Sequence, residues 1–292
     1  MRPIALLLLA FAFALAHAEV RVVDDSGAEV VLAAPARRIV SLAPHVTETL
    51  FAAGAGDRIV ATVKHADHPD AARVIARIGD HALLDLEAIV ALRPDLVIVW
   101  LGGTSERHLE KLRRLGVPMY YDRPARLADI PASLRRLGTI AGTEAAAERA
   151  ARDFSARLAS IERRHAGKPP VRVFYQVWPK PLLTVNDTHI IGDVIRLCGG
   201  RNVFGQARLL VPTLDAEAVI AADPEAVLST GGDEEAGDDP LALWRRMPRF
   251  GPVAVGNLLL LPSDAIGRNS PRILDGAEVM CAALDGVRAK RR

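Results

Sequence analysis

Short apolar segments alternate with amphipathic segments along most of this chain. Gly, Pro or Asp bounds the apolar segments, and the stretches between them have helical spacing, which is typical of the βα units of a parallel sheet. The first group of apolar segments is residues 39–42, 59–62, 96–100 and 117–121, and the second is residues 171–177, 182–185, 226–230 and 258–261. The pattern predicts an α/β fold with two lobes, each containing a mostly parallel sheet.

One segment of the chain occurs twice. The sequence LDLEAIVALRPDLVIV at residues 84–99 aligns with LDAEAVIAADPEAVLS at residues 214–229, at a constant offset of 130 residues, and seven of the sixteen positions are identical. Each copy predicts a short helix, a turn at Pro and a buried strand. A solenoid needs three or more such units, so a single duplication indicates two lobes of similar build.

A long segment between the two groups predicts one continuous helix over residues 143–166. Thr143 is a suitable N-cap, and the sequence GKPP at residues 167–170 ends the helix. This predicts an N-terminal lobe at 19–142, a bridging helix at 143–166 and a C-terminal lobe at 167–292. Such a helix is roughly 35 Å long. Because one long helix joins the lobes, we expect them to move little relative to each other.

The first residues predict an export signal. Arg2 precedes an apolar run at residues 4–15, and Ala-His-Ala follows at residues 16–18. A positive start, a short apolar core and an A-x-A exit are the features of a secretory signal peptide, so residues 1–18 are expected to be removed. We therefore expect a mature protein that is soluble in the periplasm.

Charge and motifs narrow the function classes. The chain has 37 basic and 35 acidic residues, a net charge of +2, with no basic cluster of the kind a nucleic-acid binder shows. It contains no GxxxxGK[ST], HExxH or GxSxG motif. A two-lobed exported protein with this composition is more simply a binder than an enzyme, with its ligand between the lobes. We expect no catalytic residues and no resident cofactor.

The chain has two cysteines, Cys198 and Cys281. An exported protein meets an oxidising compartment, which permits a disulfide between them. Two separate buried thiols are the alternative that their positions leave open.

Several stretches resemble the helix-bridged periplasmic binding proteins that serve ABC importers of cobalamin, haem, ferric siderophores and some metals. The resemblance covers residues 37–287 and is strongest to the cobalamin-binding members. The stretches are RIVSLAPHVTE at 38–48, DLVIVWLGG at 95–103, ER at 106–107, LCGGRNVF at 197–204 and SDAIGRNSPRI at 263–273. The resemblance implies a corrinoid ligand held between the lobes and a disulfide between Cys198 and Cys281.

The same resemblance implies roles for particular residues. Trp100 corresponds to an aromatic side chain that packs on the corrin ring, as a flat apolar macrocycle requires. Asp264 and Arg268 would hydrogen-bond the amide groups of the ligand, within the loop Asp264, Ala265, Ile266, Gly267 and Arg268. The structural alternatives are a tryptophan in the core and an Asp–Arg pair at the surface.

Glu87 and Glu217 occupy the same position in the two copies of the repeat. In the family, glutamates at these positions meet arginines of the two permease subunits. Two equivalent charges suit a partner with twofold symmetry, because complementary charges fix orientation and speed association. The resemblance therefore implies a monomer that docks on an ABC permease dimer.

Two positions depart from the cobalamin-binding pattern. His65 stands where a Tyr is expected and His81 where a Trp is expected, so imidazoles that could ligate cobalt or haem iron axially replace aromatic contacts. Trp178 could restore stacking from the second lobe. The alternatives are haem or a ferric siderophore as ligand, a transition-metal site formed by His65, His68 and His81, or a metal-dependent hydrolase that uses these histidines with Asp67 or Asp80.

Overall fold

The structure, a computed structural model, describes residues 19–80, 83–230 and 239–291. The strands of the N-terminal lobe are β1 (Val20–Val23), β2 (Glu29–Leu32), β3 (Ile39–Ser41), β4 (Ile59–Ala61), β5 (Leu96–Trp100) and β6 (Met119–Asp122). The strands of the C-terminal lobe are β7 (Val171–Gln176), β8 (Trp178–Pro179), β9 (Leu182–Leu183), β10 (Gly200–Asn202), β11 (Ala226–Thr230) and β12 (Leu258–Leu261). The expected signal peptide, residues 1–18, lies outside the described residues.

The helices cover the sheets and join the strands. In the first half they are α1 (Pro44–Ala52), α2 (Leu86–Ala91), α3 (Glu106–Arg114), α4 (Ile130–Ala141) and α5 (Glu144–His165). In the second half they are α6 (Ile190–Leu197), α7 (Ala216–Ala221), α8 (Ala242–Arg245), α9 (Gly251–Ala254), α10 (Ser263–Ile266) and α11 (Ile273–Ala289). Within the three described ranges, no helix has both the length and the apolar character that crossing a bilayer requires.

The two lobes share one sheet topology. The N-terminal sheet has the order β4-β3-β5-β6, the C-terminal sheet has the order β10-β7-β11-β12, and all these pairs are parallel. Counted along the chain within each lobe, both orders are 2-1-3-4. The predicted fold class, two similar α/β lobes with parallel sheets, is confirmed.

The carboxyl ends of the two sheets face each other. The loop at residues 263–272 follows β12, and its Arg268 reaches across to Glu48 and Asp67 of the N-terminal lobe. Glu48 lies in the helix that follows β3, and Asp67 lies in the loop that follows β4. In open parallel sheets, ligands bind beyond the carboxyl ends of the strands, where the strand order changes direction. Here those edges border the space between the lobes, called the interlobe cleft below.

Helix α5 joins the lobes and is buried along one face. Ala147, Ala151, Phe154 and Ile161 belong to an apolar core that continues from one lobe into the other. The predicted helix is therefore present, one residue shorter at each end than the segment 143–166. A continuous core beneath this helix resists hinge motion, because separating the lobes would expose packed apolar surface.

Two strand predictions differ from the structure. The segment predicted at residues 182–185 is not part of the parallel sheet, because β9 pairs antiparallel with β8 in a separate hairpin. The fourth strand of the C-terminal sheet is β10 instead, whose sequence Gly-Arg-Asn carries no apolar signal. The hairpin β1–β2 was also not predicted, and Asp25 in its turn donates its backbone N–H to the carbonyl of Tyr121 at 2.9 Å.

A disulfide joins Cys198 to Cys281. Cys198 caps the end of α6 and Cys281 lies within α11, and both are fully buried. The pairing that the family resemblance implied is present, and the alternative of two separate thiols is wrong. The bond fastens together two helices that cover the same sheet.

Candidate functional site

Trp100 is the exposed end of an otherwise buried strand. The first four residues of β5 are buried, whereas Trp100, the last, is 38% exposed. The core alternative for this tryptophan is therefore wrong. Because β5 borders the point where the strand order of its sheet changes direction, its carboxyl end opens on the cleft. Trp100 thus offers the cleft an accessible aromatic surface.

His45 lies beside Trp100 at the floor of the cleft. It stands in the first turn of α1, directly after β3, and its ring meets the indole edge-to-face with the centroids 5.2 Å apart. His45 is only 5% exposed, and its Nε2 has no hydrogen-bond partner among the described residues. Burial, together with the nearby Arg268 guanidinium, lowers the pKa of His45 from 6.5 to about 4. The imidazole is therefore neutral at ordinary pH.

Arg268 bridges the two lobes. Its Nη1 donates to Glu48 Oε1 at 2.6 Å and to Asp67 Oδ1 at 3.2 Å, and its Nη2 donates to the carbonyl of His65 at 2.9 Å. These bonds use three of the five N–H groups of a guanidinium, and the described part of the chain provides no acceptor for the other two. Arg268 can therefore hold the lobes together and still donate into the cleft.

Glu48 is the acceptor at the centre of this bridge. Its carboxylate is almost fully buried and also accepts a hydrogen bond from the hydroxyl of Ser270, while Arg272 Nε lies 3.7 Å from its Oε2. A buried carboxylate requires such partners, because desolvation of an unpaired charge is costly. The sequence analysis did not single out Glu48. Its partners lie more than 200 residues away, and no local pattern marks the contact.

The rest of the loop that contains Arg268 differs from the expected ligand contacts. Asp264 pairs with Arg272 at 2.8 Å, so the alternative of an Asp264–Arg268 surface pair is wrong. Ala265 is half-buried and Gly267 is exposed. The side chain of Ile266 is fully buried in the core, which leaves only its backbone available to a ligand.

The C-terminal lobe presents its own apolar surface at the cleft edge. Trp178 follows β7 and is 47% exposed. Leu209, Leu210 and Val211 are also exposed, and their segment runs beside the hairpin β8–β9, where Thr184 N–H donates to the carbonyl of Pro212 at 3.2 Å. The sequence analysis missed this trio. The available signal was a run of three apolar residues immediately before a proline, outside any predicted strand.

The histidines do not form a metal cluster in the described part of the chain. His65 is exposed and has a positive φ of 61°, His68 is half-buried, and His81 lies outside the described residues. No group of three or more His, Cys, Asp or Glu side chains within residues 19–80, 83–230 and 239–291 is arranged to hold a metal ion. The observed contact of His65 with the other lobe is its backbone carbonyl, which accepts a hydrogen bond from Arg268.

Glu87 and Glu217 occupy equivalent places in the two lobes. Each is the second residue of a six-residue helix, α2 or α7, and each is exposed. The helices begin alike, because Asp85 accepts the N–H of Ala88 at 2.9 Å and Asp215 accepts the N–H of Ala218 at 2.7 Å. Both helices run antiparallel to the strands that follow them. Their first turns therefore lie at the carboxyl edge of each sheet, on the side of the cleft.

The sequence and fold match known binding proteins. The family model described as "Periplasmic binding protein" matches residues 39–264. The chain is 35% identical over 257 residues to the vitamin B12-binding protein of Vibrio parahaemolyticus, covering 88% of this chain and 92% of that protein.

Solved structures give the same result. The periplasmic vitamin B12-binding protein of Vibrio cholerae is 33% identical, with a TM-score of 0.78 over 87% of this chain and 98% of that one. The periplasmic haem-binding protein of Roseiflexus sp. RS-1 shares the fold, with a TM-score of 0.75 over 86% of this chain and 98% of that one, at 23% identity.

Proposed function

This chain belongs to the periplasmic binding protein family, and we propose that it captures a corrinoid of the vitamin B12 type between its lobes and delivers it to an ABC importer. The observation that carries the proposal is the pair of apolar surfaces at the facing edges of the two sheets. Trp100 stands on one edge, and Trp178 with residues 209–211 stands on the other. A flat macrocycle that enters edge-first buries apolar area against both surfaces.

The polar groups of the cleft suit a neutral, amide-rich ligand. Two N–H groups of Arg268 have no acceptor among the described residues and can donate to amide carbonyls, while Glu48 and Asp67 balance the charge of the guanidinium. Asp264 is exposed and can accept from amide N–H groups. A ligand with several carboxylates would instead require unpaired cations. The charge balance thus favours a corrinoid over haem or a ferric siderophore.

His65 and His81 are proposed to line the mouth of the cleft. An exposed imidazole at His65 can contact the ligand directly or coordinate its cobalt. The corrinoid is the cargo and not a resident cofactor, and we propose that the chain performs no covalent chemistry on it.

The positions of Glu87 and Glu217 support the proposed delivery to a permease. Two exposed carboxylates at equivalent places on the two lobes match a permease dimer with a cation on each subunit. We propose that the mature protein, after removal of residues 1–18, acts in the periplasm as a monomer and docks through these two glutamates. ATP hydrolysis would then belong to the importer.

The test is a calorimetric titration of the refolded, ligand-free mature chain with cyanocobalamin, with haemin as the comparison ligand. The proposal predicts saturable one-to-one binding of cyanocobalamin, and a shifted corrin absorption band if His65 or His81 reaches the cobalt. Absence of cyanocobalamin binding together with stoichiometric haemin binding would overturn the ligand assignment.

A further inference from the structure

The indole of Trp100 is enclosed on two sides before any ligand is present. His45 meets it edge-to-face from α1, and Gly103 lies against it from the loop that follows β5. Trp100 nevertheless remains 38% exposed. Such an arrangement holds an aromatic ring in one orientation.

Gly103 is a glycine because of this contact. A methyl carbon built at Gly103 would overlap Cε3, Cδ2 and Cζ3 of the indole, and the φ of Gly103 lies outside the left-handed region. Its neighbour Gly102 is required for a different reason. A methyl carbon there would meet nothing within 4 Å, but its φ of +89° is a backbone conformation that favours glycine. The backbone therefore requires the first glycine, and the indole requires the second.

The turn itself keeps Gly103 against the ring. The N–H groups of Gly103 and Thr104 both donate to the carbonyl of Trp100, at 3.1 and 3.2 Å. The N–H of Leu101 donates to the carbonyl of Asp122 on the neighbouring strand at 3.2 Å, which fixes the start of the turn to the sheet. The loop thus folds back on the side chain that precedes it.

His45 contributes from the other side at a cost. A buried polar atom without a partner is unfavourable, and Nε2 of His45 is such an atom within the described residues. The contact through which this ring acts on the cleft is the edge-to-face packing on Trp100. His45 therefore supports the indole of Trp100 by packing, while its own Nε2 lacks a hydrogen bond within the described residues.

We propose that His45 and Gly103 are positioning residues that fix the orientation of Trp100 in the ligand-free protein, so that the aromatic wall of the cleft is formed in advance. A side chain ordered beforehand loses less conformational entropy on binding, which favours affinity. The effect on affinity rests on the proposed function, whereas the ordering of Trp100 does not.

The ordering is tested by fluorine NMR of the ligand-free chain labelled with 5-fluorotryptophan. The chain has three tryptophans, and Trp100→Phe assigns the relevant resonance. We expect one narrow Trp100 line in the parent chain, and a shifted and broadened or split line in both Gly103→Ala and His45→Ala. His45→Phe should restore the narrow line, because it keeps the edge-to-face contact.

The matched control is Gly286→Ala, since a methyl carbon there meets nothing within 4 Å. This control should leave the Trp100 line unchanged. An unchanged line in Gly103→Ala would overturn the proposal, and if that variant does not fold, an unchanged line in His45→Ala would do so.

The binding arm separates the two proposals. Gly103→Ala should lower the affinity for cyanocobalamin at least tenfold, while Gly286→Ala should not alter it. If the parent chain binds no cyanocobalamin, the proposed ligand is wrong, and the fluorine spectra still decide whether His45 and Gly103 order Trp100. If Gly103→Ala binds with parental affinity, preformation does not contribute to binding.

Discussion

The two lobes have the same strand order but different cleft edges. On the N-terminal lobe, Trp100 is enclosed by His45 and Gly103. On the C-terminal lobe, Trp178 lies in a two-residue strand of a small hairpin, beside the exposed loop at residues 209–211. The lobes share the buried apolar strands at the centre of each sheet, β3 with β5 and β7 with β11, whereas the loops that form the cleft surface differ between them. The two lobes therefore share a scaffold, and they differ in the loops at the cleft edge.

The feature that the lobes do share outside the sheets is the pair of short helices α2 and α7. Their glutamates have the same position, cap and exposure. We therefore expect a partner with twofold symmetry to contact these two helices. A ligand that makes different contacts with the two lobes should bind to the loops.

The largest effect is expected from reversing both docking charges. If the two glutamates dock on the permease as proposed, Glu87→Lys combined with Glu217→Lys should abolish corrinoid uptake, because repulsion would replace attraction at both permease subunits. Cyanocobalamin affinity of the isolated protein should not change. Glu162→Lys, a single charge reversal at an exposed position of α5, is the control for a general charge effect and should support normal uptake. Full uptake by the double variant would show that these glutamates do not contact the permease.

Removing the buried carboxylate between the lobes should cause the next largest effect. Glu48→Ala leaves Arg268 and Arg272 without their buried partner and should lower the free energy of unfolding by about 3–5 kcal/mol. Urea unfolding of the mature chain measures this loss. Glu162→Ala, which removes an exposed carboxylate, should change stability by less than about 0.5 kcal/mol. Equal stabilities of the two variants would refute the role of Glu48 in joining the lobes.

His45 and Asp122, two buried side chains of the N-terminal lobe, should make the free energy of unfolding depend on pH in opposite directions. Burial lowers the pKa of His45 to about 4, so its contribution to stability is complete above pH 6.5 and is lost as pH falls toward 4. Burial raises the pKa of Asp122 from 3.8 to about 6, so its contribution is complete below pH 3.8 and is lost as pH rises toward 6. Each effect amounts to about 3 kcal/mol.

Substitution should separate these two effects. His45→Phe should leave a protein whose stability falls between pH 4.5 and pH 6, and Asp122→Asn should leave one whose stability rises over the same interval. In the parent chain the two slopes should largely cancel. Urea unfolding at pH 4.5, 5.5 and 6.5 tests this. Parallel curves for both variants and the parent would show that neither group titrates as described.

The smallest effect is expected from replacing Trp178, the tryptophan of the C-terminal lobe, and it is compared here with the replacement of Trp100. Trp100→Ala should weaken cyanocobalamin binding by about 2–3 kcal/mol, because it removes a preordered aromatic surface. Trp178→Ala should cost about 1 kcal/mol, because the ring on the hairpin is less constrained and residues 209–211 remain as apolar wall. Titration calorimetry of both variants measures the difference. A larger loss of affinity for Trp178→Ala than for Trp100→Ala would show that the C-terminal lobe contributes the more important aromatic contact.

The sequence predicted the parts of the fold that depend on local apolar runs. Strand β5 followed from one such run, whereas an accessible Trp100 at its end was implied only by the family resemblance. Strand β10 did not follow from such a run, because at the sheet edge Gly-Arg-Asn pairs through its backbone alone. The hairpin β1–β2 was also not predicted. The burial of β2 alternates as in a strand with one packed face, but its sequence, Glu-Val-Val-Leu, does not alternate between apolar and polar residues.

The cleft was predicted less completely because its contacts are not local. Arg268 was assigned to the ligand from its position in a family motif, yet its main partner, Glu48, is 220 residues away. Ile266 belonged to the same motif, but its side chain packs into the core, where Gly276 leaves room for it. A sequence motif marks a segment as important without indicating which way each side chain points.

The claim that the ligand lies between the carboxyl edges of the two sheets is tested most directly by hydrogen–deuterium exchange. The exchange of the mature chain is compared in the absence and presence of cyanocobalamin. New protection is expected at residues 64–67, 100–104, 209–213 and 263–272, with none in the short helices α2 and α7. Protection confined to other surfaces, or to one lobe alone, would contradict the account.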